Sequence, residues 1–153
     1  MEKEVKGSIT EFNILRQQIR DAIKGLDDEA ANWCPLPNDT NSVYSLMNHL
    51  AGAQSHWIKR VIAGMTIQRD RDTELKAAGS LVEIVKKWEI INRETDDILG
   101  KLNLAQLRET RDVAAPFGRV TVQWCILHQI SHFAIHLGHM QLTRQMRESS
   151  LQH

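Results

Sequence analysis

Charge of one sign is missing from this sequence. Acidic and basic residues balance at 19 each, so no net field is available to capture nucleic acid or an anionic membrane surface. Cysteine is scarce. Cys34 and Cys125 stand alone, with no C-x-x-C pair, which fits a reduced, cytoplasmic protein better than a disulfide-stapled secreted one. Long apolar runs are absent as well: none approaches the roughly 20 residues that a membrane span requires. The charged opening, Met1–Gly7, lacks the apolar stretch of a signal peptide. There is no internal repeat, no low-complexity segment and little that reads as strand. What remains is the expectation of a cytoplasmic domain spanning residues 1–153, long enough for a real hydrophobic core, with neither nucleic acid nor membrane as partner.

The apolar residues that are present recur at helical spacing. Val5, Ile9, Phe12, Leu15, Ile19, Ala22 and Ile23 define a first amphipathic helix that Gly25 stops. Pro35 and Pro37 then forbid regular helix, and Trp33 in that loop is expected to plug the end of the fold. Asn41-Ser42 reads as the start of a second helix, Val43–Ala63, ended by Gly64. The charged stretch Thr66–Gly79 reads as an exposed connection. Ser80 with Glu83 is a capping-box signature that launches a third helix, about Leu81–Lys101. Leu104–Leu107 adds a further turn, Arg108–Val120 holds a loop or a short extended pair, and Thr121 caps a fourth helix from Val122 to about Arg147. Four amphipathic helices predict an all-α four-helix bundle, an architecture that builds metal sites from side chains on facing helices.

Four of the seven histidines fall in one stretch of the fourth helix. His128, His132 and His136 are spaced i, i+4, i+8, so their imidazoles share a face, and His139 lies on or beside it. The residues around them are largely apolar, which points the column into the bundle. A His pair at i, i+4 can chelate a divalent metal. His132 with His136 supplies two ligands, and His49, on the inner stripe of the second helix, is the best candidate for a third. His128, one turn before His132, is open to three readings, a fourth ligand, an outer donor or a lid on the bundle, and His139 is a weaker ligand candidate. His56 lies about 10 Å along the helix from His49, too far to share one centre, and His153 is a solvated tail residue. Three neutral imidazoles leave an open position, the pattern of catalytic rather than structural sites, and imidazole suits several transition metals. Cys34 and Cys125 show no neighbouring base that would make either a nucleophile. The basic cluster Arg144-Gln145-Met146-Arg147 complements the dipole of its own helix, or takes an anionic substrate group.

The segments Asn41-Ser42-Val43, Asn48-His49-Leu50-Ala51-Gly52 and His56-Trp57, followed by Leu127-His128, His132 and His136-Leu137-Gly138-His139, resemble the DinB-like superfamily. This is the group of metal-dependent proteins that includes the bacillithiol and mycothiol transferases. The lead-in Leu26-Asp27-Asp28-Glu29, Trp33 and Pro35, and Arg119-Val120-Thr121-Val122 before the fourth helix, resemble it too. The resemblance implies a bundle in up-down-down-up order, often dimeric, that binds Zn or Ni through three histidines, carried over here onto His49, His132 and His136. It implies transfer of a low-molecular-weight thiol to an electrophilic small molecule. A metal-dependent hydrolase is the second reading, although no Glu adjoins either His of the fourth-helix pair as in helical metalloproteases. A non-catalytic metal- or ligand-binding stress protein is the third.

Overall fold

Helix dominates the structure, a computed structural model that describes residues 1–152. The tail residue His153 lies outside the described residues. The first helix, α1 (Lys3–Ile23), buries Val5, Phe12, Ile19, Ala22 and Ile23 on one face, and Gly25 follows it with φ +79°, a left-handed stop that glycine adopts freely. A single turn, α2 (Asp28–Asn32), is capped by the Asp27 side chain. Trp33, expected to plug the end of the fold, is instead half-buried and stands outside the core cluster.

Helix α3 (Val43–Gln54) starts where the sequence indicates: Ser42 Oγ accepts from the Ser45 N–H at 3.0 Å. The second helix is not uniform, however. From Ser55 to Ile62 it continues in π-helical register, with the Ala63 N–H donating to the Ile58 carbonyl, five residues back. The connection Thr66–Gly79 departs further from expectation. It contains a short turn, α4 (Arg71–Glu74), and its Glu74 is buried, so the segment is not simply exposed.

Helix α5 (Leu81–Leu99) begins at the predicted residue for a different reason. The Ser80 side chain caps nothing. The orphan N–H of Leu81 donates instead to Asp28 Oδ1 at 2.8 Å, and Glu83 pairs with Lys86, so the cap comes from α2 across the fold. The capping box that does form belongs to α6 (Leu104–Arg108), between Asn103 and Gln106. A two-stranded hairpin, β1 (Thr110–Asp112) and β2 (Arg119–Thr121), pairs antiparallel and leads into α7 (Val122–Ser150), which Thr121 caps at the Trp124 N–H.

The four long helices share one apolar core. Helix α1 packs on α7 and α5, and α3 packs on α5 and α7. Phe12, Trp88 and Phe133 meet at its centre, with Phe12 edge-on to Phe133 at 5.5 Å. Arg144 of α7 donates to the carbonyls of Ala22 and Lys24 at 2.9 Å, so the basic cluster of the last helix serves the C-terminus of α1. Among the described residues no helix is long and apolar enough to cross a membrane.

One buried cation ties α1 to α5. Arg16 is 1% exposed, and its Nη1 donates to both carboxylate oxygens of Asp96 at 2.8 and 3.0 Å. Asp96→Ala leaves that guanidinium buried and unpaired, and is expected to destabilise the fold by about 2–3 kcal/mol in urea unfolding. Arg16→Met combined with Asp96→Ala should recover most of the loss. A double variant no more stable than the single one would show that the pair does not act as a unit.

Candidate metal centre

The seating of α3 on α7 brings three imidazoles together. His132 and His136 project from one face of α7, one turn apart, as their spacing requires. His49 projects from the buried stripe of α3. His132 Nε2 lies 3.0 Å from His49 Nε2 and 3.0 Å from His136 Nε2. One ligand nitrogen from each residue falls within 4.8 Å of the others. These are the three positions singled out from the sequence.

Burial and mutual proximity keep the cluster neutral. Burial pushes the His132 imidazole down to about 3, with His136 and His49 adding to the effect. Burial pushes His136 down to about 4, assisted by His49 and His139. His49 is also lowered, chiefly by burial, against the opposing pull of Glu74. A neutral imidazole nitrogen carries either one proton or one lone pair, so the two contacts of His132 Nε2 cannot both be good hydrogen bonds.

The donor set fits a divalent transition metal. A cation about 2.0–2.1 Å from imidazole nitrogens sets neighbouring nitrogens roughly 2.9–3.4 Å apart, for angles between a right angle and the tetrahedral one. The two 3.0 Å separations fall inside that span. Three neutral imidazole nitrogens this close together form a group that could hold such an ion, and the two contacts of His132 Nε2 are not both explained as hydrogen bonds.

Two residues behind the cluster were not legible in the sequence. Glu74 Oε2 accepts from His49 Nδ1 at 3.0 Å. Arg69 grips the same carboxylate with both arms of its guanidinium, Nε to Oε1 at 2.7 Å and Nη2 to Oε2 at 2.9 Å. Burial pushes the Glu74 carboxyl up, but the hydrogen bonds from Arg69 and His49 outweigh it and hold the group below its ordinary value. The only available signal was chemical: a metal-ligating imidazole needs an acceptor for its other nitrogen, and the charged run Arg69–Asp72 lies in the connection that follows α3.

The other described histidines, His56, His128 and His139, fall outside the cluster. His128 stacks on Trp124 with centroids 4.7 Å apart and planes at 9°, and meets Trp57 and Phe117 edge-on. His56 packs edge-on against Trp57. His139 is exposed, with Nδ1 3.3 Å from His136 Nδ1. It borders a cavity of about 270 Å³ whose walls include Pro35, Asp39, Leu46 and Met146. Cys34 is half-buried, and burial raises the buried Cys125 thiol to about 11, which disfavours its thiolate.

Residues 10–148 match the family described as Mycothiol-S-transferase. No curated protein is significantly similar in sequence. Among solved structures, the conserved protein of locus from Enterococcus faecalis superposes with a TM-score of 0.74 at 16% identity, over 95% of this chain and 98% of that one. A DinB-like protein from Bacillus cereus superposes with a TM-score of 0.75 at 16% identity, over 95% of this chain and 92% of that one. At this identity the likeness is one of fold.

The depressed imidazoles carry a definite sign for stability. In the metal-free protein His132 and His136 gain protons only near pH 3 and 4, whereas unfolded imidazoles gain them near pH 6.5. Between roughly pH 6.5 and 4 the unfolded chain therefore binds protons that the folded chain does not, and stability falls as pH falls through that window. Urea midpoints of the metal-free protein should drop from pH 7 to pH 5, and drop less in His132→Ala. Equal drops in both would refute burial of a neutral imidazole at this position.

Proposed function

The chain belongs to the mycothiol-S-transferase family, among the DinB-like proteins, and from that premise we propose that it is a metal-dependent enzyme that transfers a low-molecular-weight thiol to an electrophilic small molecule. The observation that carries the reading is the convergence of three neutral imidazole nitrogens from His49, His132 and His136. These residues would hold the ion, Zn or Ni on this reading. A divalent cation in that position lowers the pKa of a thiol, so that thiolate is available at neutral pH.

The chain's own residues disfavour hydrolysis through a built-in general base. Hydrolysis assisted by such a base needs a free carboxylate or imidazole at the site. Glu74 is the buried carboxylate nearest the cluster, and both of its oxygens are occupied by Arg69 and His49. The three donors carry no charge, so they leave the cation able to attract an anionic sulfur. The half-burial of His132 and His136 limits water while leaving access, and the cavity beside His139 offers room for the organic part of a small substrate.

The same reading covers the architecture and the setting. It takes the chain as one four-helix-bundle domain in up-down-down-up order. Supporting that order, α1 meets α7 at Phe12–Phe133 and again where Arg144 reaches Ala22 and Lys24. Helix α3 meets α7 at His49–His132, and its π-helical continuation meets α7 at Trp57–Trp124, while α1 meets α5 at Arg16–Asp96 and Arg20–Glu89. A homodimer in the cytoplasm completes the reading. Its support is the exposed row of Leu127, Ile135 and Leu142 on α7, each 55% exposed, together with two free cysteines.

The test is elemental analysis of tag-free protein beside a His132→Ala/His136→Ala variant, followed by a thiol panel with a generic electrophile. About one transition metal per chain, lost in the variant, is expected for a three-histidine site. Conjugate formation should fall to background in His49→Ala. Metal retained by the double variant, or turnover unchanged by His49→Ala, would overturn the proposal.

A further inference from the structure

We infer that Arg69 and the buried Glu74 form a positioning clamp, which locks His49 in the Nδ1–H tautomer and turns its Nε2 lone pair toward His132 and His136. The ligand part of this inference rests on the metal reading above. The tautomer part does not.

The clamp is built from a segment with little reason to be buried. Thr66–Gly79 is polar and charged, yet Glu74 is 6% exposed. Its turn is capped by Asp70, whose side chain accepts from the N–H groups of Asp72 and Thr73. Asn48 of α3 donates to the Glu74 carbonyl at 3.3 Å and ties that turn to the helix carrying His49. The carboxylate then passes directly over α3 at Gly52. A Cβ at Gly52 would lie 2.0 Å from Glu74 Oε1 and 2.6 Å from its Cδ, so any side chain there pushes the carboxylate away. A glycine in the middle of a helix weakens it. Here the vacancy it leaves is filled by the group that reaches His49.

Geometry then fixes the proton. An ionised carboxylate only accepts. Arg69 spans both oxygens and fixes their plane, and Oε2 keeps a lone pair for His49 Nδ1 at 3.0 Å. His49 must therefore carry its proton on Nδ1 and its lone pair on Nε2. The other two imidazoles have no such partner. His132 Nδ1 is buried with none, and His136 Nδ1 meets no carboxylate, only Nδ1 of the exposed His139 at 3.3 Å. The helix spacing of α7 sets His132 and His136 relative to each other. His49 comes from another helix, and its orientation is imposed from outside by a charged pair.

The experiment measures two things on Glu74→Ala, Glu74→Gln and Gly52→Ala. The first is the imidazole 15N shifts of His49 in the metal-free protein, which report the tautomer. The second is Zn(II) affinity by competition with a chromophoric chelator. Wild type should show Nδ1–H at His49. Glu74→Ala and Gly52→Ala should show mixed tautomers and bind Zn(II) about 10–100-fold more weakly. Glu74→Gln keeps an acceptor oxygen, so it should retain the tautomer and recover part of the affinity. Gly52→Ala moves the carboxylate without changing either clamp residue. Should it fail to fold, Glu74→Ala decides alone. Unchanged tautomer and affinity in Glu74→Ala, with only thermal stability reduced, would make the pair a structural strap and overturn the clamp. Wild type that takes up no Zn(II) would defeat the metal reading, and the His49 tautomer would still decide the clamp.

Discussion

The seating of α3 against α7 is the constraint on which the site depends. One seam carries His49 against His132 and His136 at one level and Trp57 against Trp124 and His128 at another. Each residue along a helix turns its side chain by about 100°, so a slip of one position would carry His49 off the seam. Hydrophobic burial alone does not forbid such a slip, because it is non-directional. Directional contacts have to hold the register.

Those contacts lie around the seam. Gln54, fully buried on α3, donates to Asn92 Oδ1 at 3.1 Å and Thr95 Oγ1 at 2.7 Å on α5. Arg16, fully buried on α1, grips Asp96 on that same helix. Polar groups so placed cost more when mispaired than they contribute when paired, which makes them register marks. At the far end of the seam the hairpin lays Phe117 against Trp57, Trp124 and His128, closing it with aromatic packing. The histidine that the sequence offers as a further ligand is thereby part of a wall, its ring stacked flat on Trp124.

What the sequence disclosed was periodic or local. Apolar spacing located the four long helices, and the caps at Ser42 and Thr121 stand where their residue types point. The spacing of His132 and His136 needs only helix geometry to be read. What it hid depends on contacts distant in sequence. Ser80 and Glu83 have the pattern of a capping box, but Asp28, 53 residues away, supplies the cap. Glu74 looks like one charge among many, and its burial follows from a glycine on α3 and an arginine beside it, neither of which announces the pairing. The π-helical register from Ser55 leaves the apolar spacing of that stretch compatible with an ordinary helix, so periodicity could not expose it.

Charge accounting connects this architecture to the proposed chemistry. A half-buried cation is costly unless its charge is answered, and the three imidazoles answer none of it. Glu74 is the nearest buried carboxylate, but Arg69 neutralises it with a bidentate grip, so the clamp orients His49 while adding almost no net negative charge. A divalent cation held there would keep its charge unanswered by the chain and would draw an anion, which on the proposed reading is the thiolate of the substrate. A thiol becomes that anion on losing a proton, and soft sulfur suits the late first-row metals that imidazole also favours. A site that instead placed a free carboxylate at the cluster would satisfy the cation from within and weaken its pull on sulfur. The arginine behind the glutamate is therefore as much a part of the functional argument as the histidines in front of it.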